Sequence, residues 1–189
     1  MPAPTRNRMT RAIVLASLLL ASTTAMAAPA SVELLQPPAW IVRGDARVPM
    51  TYDAELRAGD VIRTGARARV RIGLAEGSDI KIGPDARIEL PKLRTAEESG
   101  GIFEGIAEIV RGAFRYTTSA LGADRERDIE FRVGAVTAGI RGTDIWGKAT
   151  EQRDFVVLLE GNIEAGSRGS TTRLDQPGTA YIQPREGEA

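Results

Sequence analysis

GDVIRTGARARVRIGLAEGSDIKIGPDARIEL, residues 59–90, decides the fold class. Within it Ala68, Val70, Ile72 and Leu74 alternate with Arg67, Arg69, Arg71 and Gly73. Ile80 and Ile82 flank Lys81, and Ile88 and Leu90 flank Glu89. Apolar residues at strict period two mark strands that bury one face. If 67–74 paired with 79–83 as an antiparallel hairpin, Leu74 would face Ile80 and Ile72 would face Ile82. A one-residue slip would put Lys81 in the core. That register demands an odd loop, three residues (76–78) or five, and excludes a two-residue Gly77-Ser78 turn. The connection from Ile82 to Ile88, around Gly83-Pro84-Asp85, is odd by the same reasoning. The pattern fits equally well if the two turns are corners at which successive strands cross between facing sheets.

Towards the N-terminus, Trp40-Ile41-Val42 with Arg43-Gly44-Asp45 reads as a first strand and turn, and 48–52 as its partner. Pro37-Pro38 closes a lead-in, since proline continues neither a helix nor a central strand. Further back, Arg6, Arg8 and Arg11 precede a ten-residue apolar run, AIVLASLLLA at 12–21, and Ala25-Met26-Ala27 has the small-x-small pattern. This is the layout of a bacterial secretory signal peptide cleaved after Ala27. The run is about half of the ~20 residues that a spanning helix needs. The mature chain is therefore expected in the periplasm or outside the cell, with no membrane span.

Towards the C-terminus, 91–101 reads as a polar loop and 113–118 as a strand. Residues 102–111 are ambiguous. Ile102, Ile106, Ile109 and Val110 have helical spacing, although Gly105 and Gly112 weaken a helix. One short helix is admitted between Ile102 and Arg111. Ile129, Phe131 and Val133 alternate as a strand, Phe155-Val156-Val157-Leu158-Leu159 is an apolar strand, and Glu160-Gly161-Asn162 closes it. Many short strands with glycine-rich turns imply an all-β domain, sandwich or barrel-like. The expected plan is a signal peptide over 1–27, a lead-in over 28–39, one β domain over 40–182 and a polar tail over 183–189.

Composition excludes much chemistry. There is no cysteine, hence no disulfide or thiolate metal site, and no histidine, hence no histidine base, metal ligand or triad. The chain has 25 basic and 25 acidic residues; without the three arginines of 1–27 the balance is 22 to 25, a net of −3. A slightly acidic protein argues against nucleic-acid binding, which depends on phosphate neutralisation.

Four segments together resemble the FecR-domain family of bacterial envelope proteins. Gly59-Asp60-Val61-Ile62 with Thr64-Gly65 is similar to its opening signature, and Gly77-Ser78 with Ile80, Ile82 and Pro84 to its second segment. Gly139-Ile140-Arg141-Gly142-Thr143-Asp144 resembles its G-(I/V)-R-G-T motif, and Val156–Leu159 with Glu160-Gly161 its closing strand and turn. The best-known members are inner-membrane regulators of iron uptake with a cytoplasmic anti-sigma segment, a transmembrane helix and a periplasmic sensor. Here a cleavable signal stands where the first two would be. The resemblance thus implies a free-standing exported domain that binds a small ligand or an envelope protein partner without catalysis. The alternative is a structural scaffold that binds glycan or a multiprotein complex.

Two groups of residues are candidate ligand contacts. Arg141, Thr143 and Asp144 would offer a guanidinium, a hydroxyl and a carboxylate. Their structural role would be a strand start at which Arg141 pairs with a carboxylate. Arg67, Arg69 and Arg71 would form a cationic ladder for an anionic polymer or acidic partner. Their structural role would be a solvated face that discourages edge aggregation, paired with Asp79 or Glu89. In both groups the structural role carries the greater weight. Asp60, Asp79, Asp85 and Asp144 lack the Asp-x-Asp-x-Asp spacing of a calcium loop, so no metal and no cofactor are expected. Trp40 and Trp146 are expected in the core.

Overall fold

The computed structural model describes residues 28–118, 126–140, 142–167 and 169–185. The expected signal peptide, Arg141 and the last four residues of the expected tail lie outside the described residues. Every regular element among those described is a strand. The first eight are β1 (Ala30–Gln36), β2 (Ala39–Arg43), β3 (Ala46–Pro49), β4 (Glu55–Leu56), β5 (Val61–Thr64), β6 (Arg69–Leu74), β7 (Asp79–Ile82) and β8 (Arg87–Arg94). They are followed by β9 (Phe103–Thr117), β10 (Arg127–Val133), β11 (Val136–Ile140), β12 (Asp144–Ala149), β13 (Arg153–Glu160), β14 (Ile163–Ser167), β15 (Ser170–Leu174) and β16 (Ala180–Pro184).

Backbone pairing sorts the strands into two sheets that share β9. One sheet runs β4-β1-β6-β7-β9-β12-β13-β16. The other runs β3-β2-β5-β8-β9-β10-β11-β14-β15. The strands do not close into a barrel. The inner faces of both sheets meet in one apolar cluster. At its centre Phe131 of the second sheet stacks on Phe114 of the first, with ring centroids 4.8 Å apart, and lies 5.1 Å from Tyr116.

β9 is where the sheets join. Phe103, Gly105, Ala107 and Ile109 face the core; Val110 and Arg111 are both exposed; then Gly112, Phe114 and Tyr116 face it again. The phase shift falls at Gly112, whose φ is +94°. A Cβ there would lie 2.5 Å from that of Ala86, so only glycine fits this bend. Before the bend β9 pairs with β8 and β10, and after it with β7 and β12.

No helix occupies 102–111, which corrects the expectation from spacing. Ile102, Ile106 and Val110 recur every four residues, and a period of four satisfies a strand as well as a helix. They lie on the outer face, Ile102 and Val110 being 39% and 42% exposed. The same bend explains an unusual connection. β10 runs parallel to the first half of β9, from Arg127 opposite Phe103, after only nine residues, 118–126. Parallel pairs usually need a crossover of a dozen or more. Here β9 has folded over, so its end lies across the sandwich from its start rather than a full strand length away.

The stretch that decided the fold class contains one hairpin and one corner. β6 and β7 pair within one sheet, with Val70 opposite Ile82 and Ile72 opposite Ile80. The loop is Ala75-Glu76-Gly77, closed by the Leu74 N–H donating to the Ser78 carbonyl at 2.9 Å. The expected odd parity holds and the register differs by two residues, which leaves the buried face unchanged. From β7 the chain crosses to β8 in the other sheet. The lead-in is corrected too: residues 30–36 form β1, with Ala30 and Val32 buried. A bulge between Val32 and Leu34 breaks the alternation that would have marked it. β8 likewise continues to Arg94, through a register shift between Glu89 and Lys92 that accommodates Pro91 and its missing N–H.

Gly112→Val combines a disfavoured φ with a clash against Ala86. It is expected to cost about 2–4 kcal/mol, read from urea denaturation of the variant beside the parent chain.

Candidate functional site

β11 brings Gly139 and Ile140 to one end of the sandwich, and β12 leaves it from Asp144. Between them Gly142 takes φ +67°. Thr143 is 3% exposed. Its N–H donates to Thr118 Oγ1 at 3.1 Å, and its carbonyl accepts from the Thr118 hydroxyl and N–H at 3.0 and 3.1 Å. The turn is thereby stitched to the end of β9. Asp144 accepts a fork of bonds from Arg115, from Nε at 2.9 Å and Nη2 at 2.5 Å. These bonds push the Arg115 guanidinium further above its ordinary pKa. Gly161 has φ +84°, and a Cβ there would lie 2.6 Å from the Gly142 carbonyl oxygen. The Glu160-Gly161 turn therefore seats directly on the Gly142-Thr143 turn.

The other motif residues are also ties. Asp60, 1% exposed, accepts from Arg43 Nε and Nη2 at 2.6 and 2.7 Å and from the Arg57 N–H at 2.9 Å. The Thr64 hydroxyl donates to the Gly83 carbonyl and accepts from the Ala86 N–H, both at 2.8 Å. It thus pins β5 to the corner after β7.

The model of the FecR protein family matches residues 60–164, more than half of the 189-residue chain. The chain belongs to the FecR family. A crystal structure of a protein from Parabacteroides distasonis, provisionally described as an anti-sigma factor, shares the fold with a TM-score of 0.50 at 13% identity. A second crystal structure so described from that organism gives 0.49 at 14%. In both comparisons 67% of this chain is covered, and it spans 60% of the solved chain. No curated protein matches.

In this FecR domain a broad concave surface opens beside the Gly142-Thr143 turn. Its walls come from Thr117 and Thr118, from 126–130 of β10 and its approach, and from Glu160, Asn162, Glu164 and Arg173. Glu126, Asp128, Glu160 and Glu164 make no ion pair among the described residues, whereas Asp144 is taken up by Arg115 and Glu130 by Arg132. The hydroxyls of Thr117 and Thr143 are buried with no hydrogen-bond partner among the described residues. An orphaned buried hydroxyl costs about 1–3 kcal/mol. The surface can thus accept hydrogen bonds and positive charge. Of the first candidate group, Thr143 and Asp144 line it, and Arg141 lies outside the described residues.

The second group is divided. β6 begins at Arg69, and Arg67 sits in the preceding turn with φ +60°. Arg69 donates to the carbonyl of Ala68. Arg71 pairs with Glu33 of β1 at 3.0 Å, rather than with Asp79 or Glu89. Register places Arg71, Lys81 and Arg115 opposite one another on β6, β7 and β9. Each has its own carboxylate, in Glu33, Asp79 and Asp144. Like charges facing across strands repel, and this second row of acids offsets them. Neither tryptophan is in the core. Trp40 carries the Arg47 guanidinium over its ring at 4.0 Å, and Trp146 lies on the outer face against Phe155.

One cluster was not singled out in the sequence. Glu76 and Arg127, with side chains 2% and 6% exposed, approach to 3.1 Å under the wall of the concave surface. Ser78 Oγ accepts from Arg127 Nη1 at 3.1 Å and from the Tyr116 hydroxyl at 3.0 Å, and the Ser78 N–H donates to Glu76. Glu76 in a glycine turn and Arg127 in a charged run both look like solvated residues. Only the long-range pairing of β7, β9 and β10 brings them together. Burial, chiefly, pushes the Tyr116 pKa up.

Breaking a buried pair leaves a bare charge, so Arg127→Met is expected to destabilise by about 3–5 kcal/mol, and the double change with Glu76→Leu to restore most of that. Denaturation of the single and double variants tests this. A raised folded-state pKa gives stability that is complete below the ordinary tyrosine value and lost as pH rises through the folded one. Stability is expected to fall from about pH 10 upward, less steeply in Tyr116→Phe, as denaturation at stepped alkaline pH would show.

Proposed function

We propose that this FecR domain is an exported, non-enzymatic interaction module of the bacterial envelope. It binds a protein partner or small polar ligand at the concave surface, with Thr143 and Asp144 on its wall. The observation that carries the reading is a surface at which Glu126, Asp128, Glu160 and Glu164 have no ion pair among the described residues, beside the buried Thr143 hydroxyl, which has no hydrogen-bond partner among them. A ligand presenting donors or positive charge complements those carboxylates. FecR proteins are regulatory, and a chain without histidine or cysteine has neither a histidine general base nor a thiolate nucleophile. Export is supported by the 1–27 pattern, and removing 1–27 takes no described strand, since β1 begins at Ala30. Within the described residues no helix is long and apolar enough to cross a membrane.

Crosslinking and pull-down of the tagged protein from periplasm is expected to recover a specific partner, with recovery reduced about tenfold in Glu160→Gln/Glu164→Gln, since rim charges steer and orient association. Strong retention on the sacculus with no protein recovered would favour the glycan scaffold instead. The recovered protein is expected to start at Ala28 by mass spectrometry. An intact N-terminus would overturn the export reading.

A further inference from the structure

Over β12, β13 and β16 the outer face of the first sheet is largely apolar, where an outer face is usually polar. Trp146, Val157 and Ala180 lie opposite one another on β12, β13 and β16, and Lys148, Phe155 and Ile182 form the next row. Ile182 is 53% exposed and Leu159 38%. The rings of Trp146 and Phe155 are 5.3 Å apart, and the Arg153 guanidinium stands 5.7 Å over Phe155. Neither Lys148 nor Arg153 has a carboxylate partner among the described residues, unlike the ladder Arg71, Lys81 and Arg115 on the same sheet.

This strip runs to an open edge. Among the described residues β16 pairs only with β13. The Leu158 N–H donates to the Thr179 carbonyl, and the Arg185 N–H to that of Gln152. Antiparallel alternation then turns Tyr181 and Gln183 towards β13, and the backbone groups of Ala180 and Ile182 away from it. Sheet edges are usually blunted by charge or brevity. β3 and β15 carry Arg47 and Arg173, and β4 has two residues, whereas β16 is AYIQP, without a charge and with its one edge-blunting residue, Pro184, at its very end.

We propose that β16 is a docking edge for an extended, acidic segment of a partner protein, which adds to the first sheet as a further strand. Open N–H and carbonyl groups in strand register are matched by another backbone. Residues of the added strand opposite Ala180 and Ile182 extend the apolar strip, and the one opposite Pro184 faces Arg153, where a carboxylate completes the charge. This surface is separate from the concave one.

The probe is a short synthetic peptide alternating threonine with valine, valine and glutamate on one face, and a twin with lysine for glutamate. The acidic peptide is expected to shift Trp146 fluorescence and to slow hydrogen exchange at the Ile182 amide. The lysine twin should bind about tenfold more weakly or worse, and Arg153→Glu should reverse that order. Ile182→Pro and Ile182→Asp should abolish binding, with melting recorded for each; Ile182→Asp changes only an exposed side chain. Unchanged exchange at Ile182 with peptide present would overturn the proposal. So would protection of that amide in the free protein that rises with concentration, which would make the occupant a second copy. So would binding of phosphatidylglycerol vesicles with Ile182 still exchanging. A partner captured from periplasm equally well by Ile182→Asp would leave the interaction-module reading standing and remove β16 from it.

Discussion

The bend at Gly112 holds this domain together. One strand cannot serve two facing sheets unless its inward face changes over partway. The left-handed φ of Gly112 does this by spending one residue outside the alternation, so that odd positions face the core before it and even positions after. Phe103 and Ile109 then line one wall of the core, and Phe114 and Tyr116 the other. The stack of Phe114 on Phe131 is possible because β9 has changed sheets between Ile109 and Phe114. The close approach to Ala86 ties this bend to the corner between β7 and β8, which is pinned in turn by Thr64.

Buried acids do a second job in the fold. Asp60, Asp144 and Asp154 each lie under an arginine that remains partly exposed, in Arg43, Arg115 and Arg185. Asp154, fully buried, also accepts from the Ala135 N–H, and it crowds Gly134 so closely that a Cβ there would overlap its carboxylate. Asp60 and Asp154 also secure turns by accepting from the Arg57 and Ala135 N–H groups, and Asp144 ties β12 to β9 through Arg115. A carboxylate paired in this way is far less costly to bury than a bare one. This explains how Asp60, the aspartate of the opening motif, is inaccessible in the fold.

Much of the β architecture was legible from period two, because one-sided burial writes itself into alternation. β6, β7, β10 and the apolar run of β13 could be placed in this way, and the parity of the β6–β7 loop followed from Lys81. What was illegible broke the alternation or depended on remote pairing. The bulge in β1 hid a strand in the lead-in. The spacing of Ile102, Ile106 and Val110 suits both periods, and so admitted a helix inside β9. Motif residues Thr143 and Asp144 were found as candidates through resemblance. Their surroundings were not, since Thr118, Arg115 and Gly161 come from distant parts of the chain. The Glu76–Arg127 pair had no local signal at all. The doubly apolar character of β13 was visible as a run without alternation, but that pattern does not tell a strand buried on both faces from one with an open apolar face.

The interleaving of the sheets has a consequence for how the chain can be made. Each sheet draws strands from early and late in the sequence, and β13 gains its outer neighbour only when β16 arrives at residues 180–184. A polypeptide that emerges N-terminus first cannot complete either sheet in advance. Its early strands, β1, β5 and β6 among them, must wait with apolar faces uncovered until β9 and its later neighbours have followed. The pairing of the domain is therefore complete only when its last strand has been made.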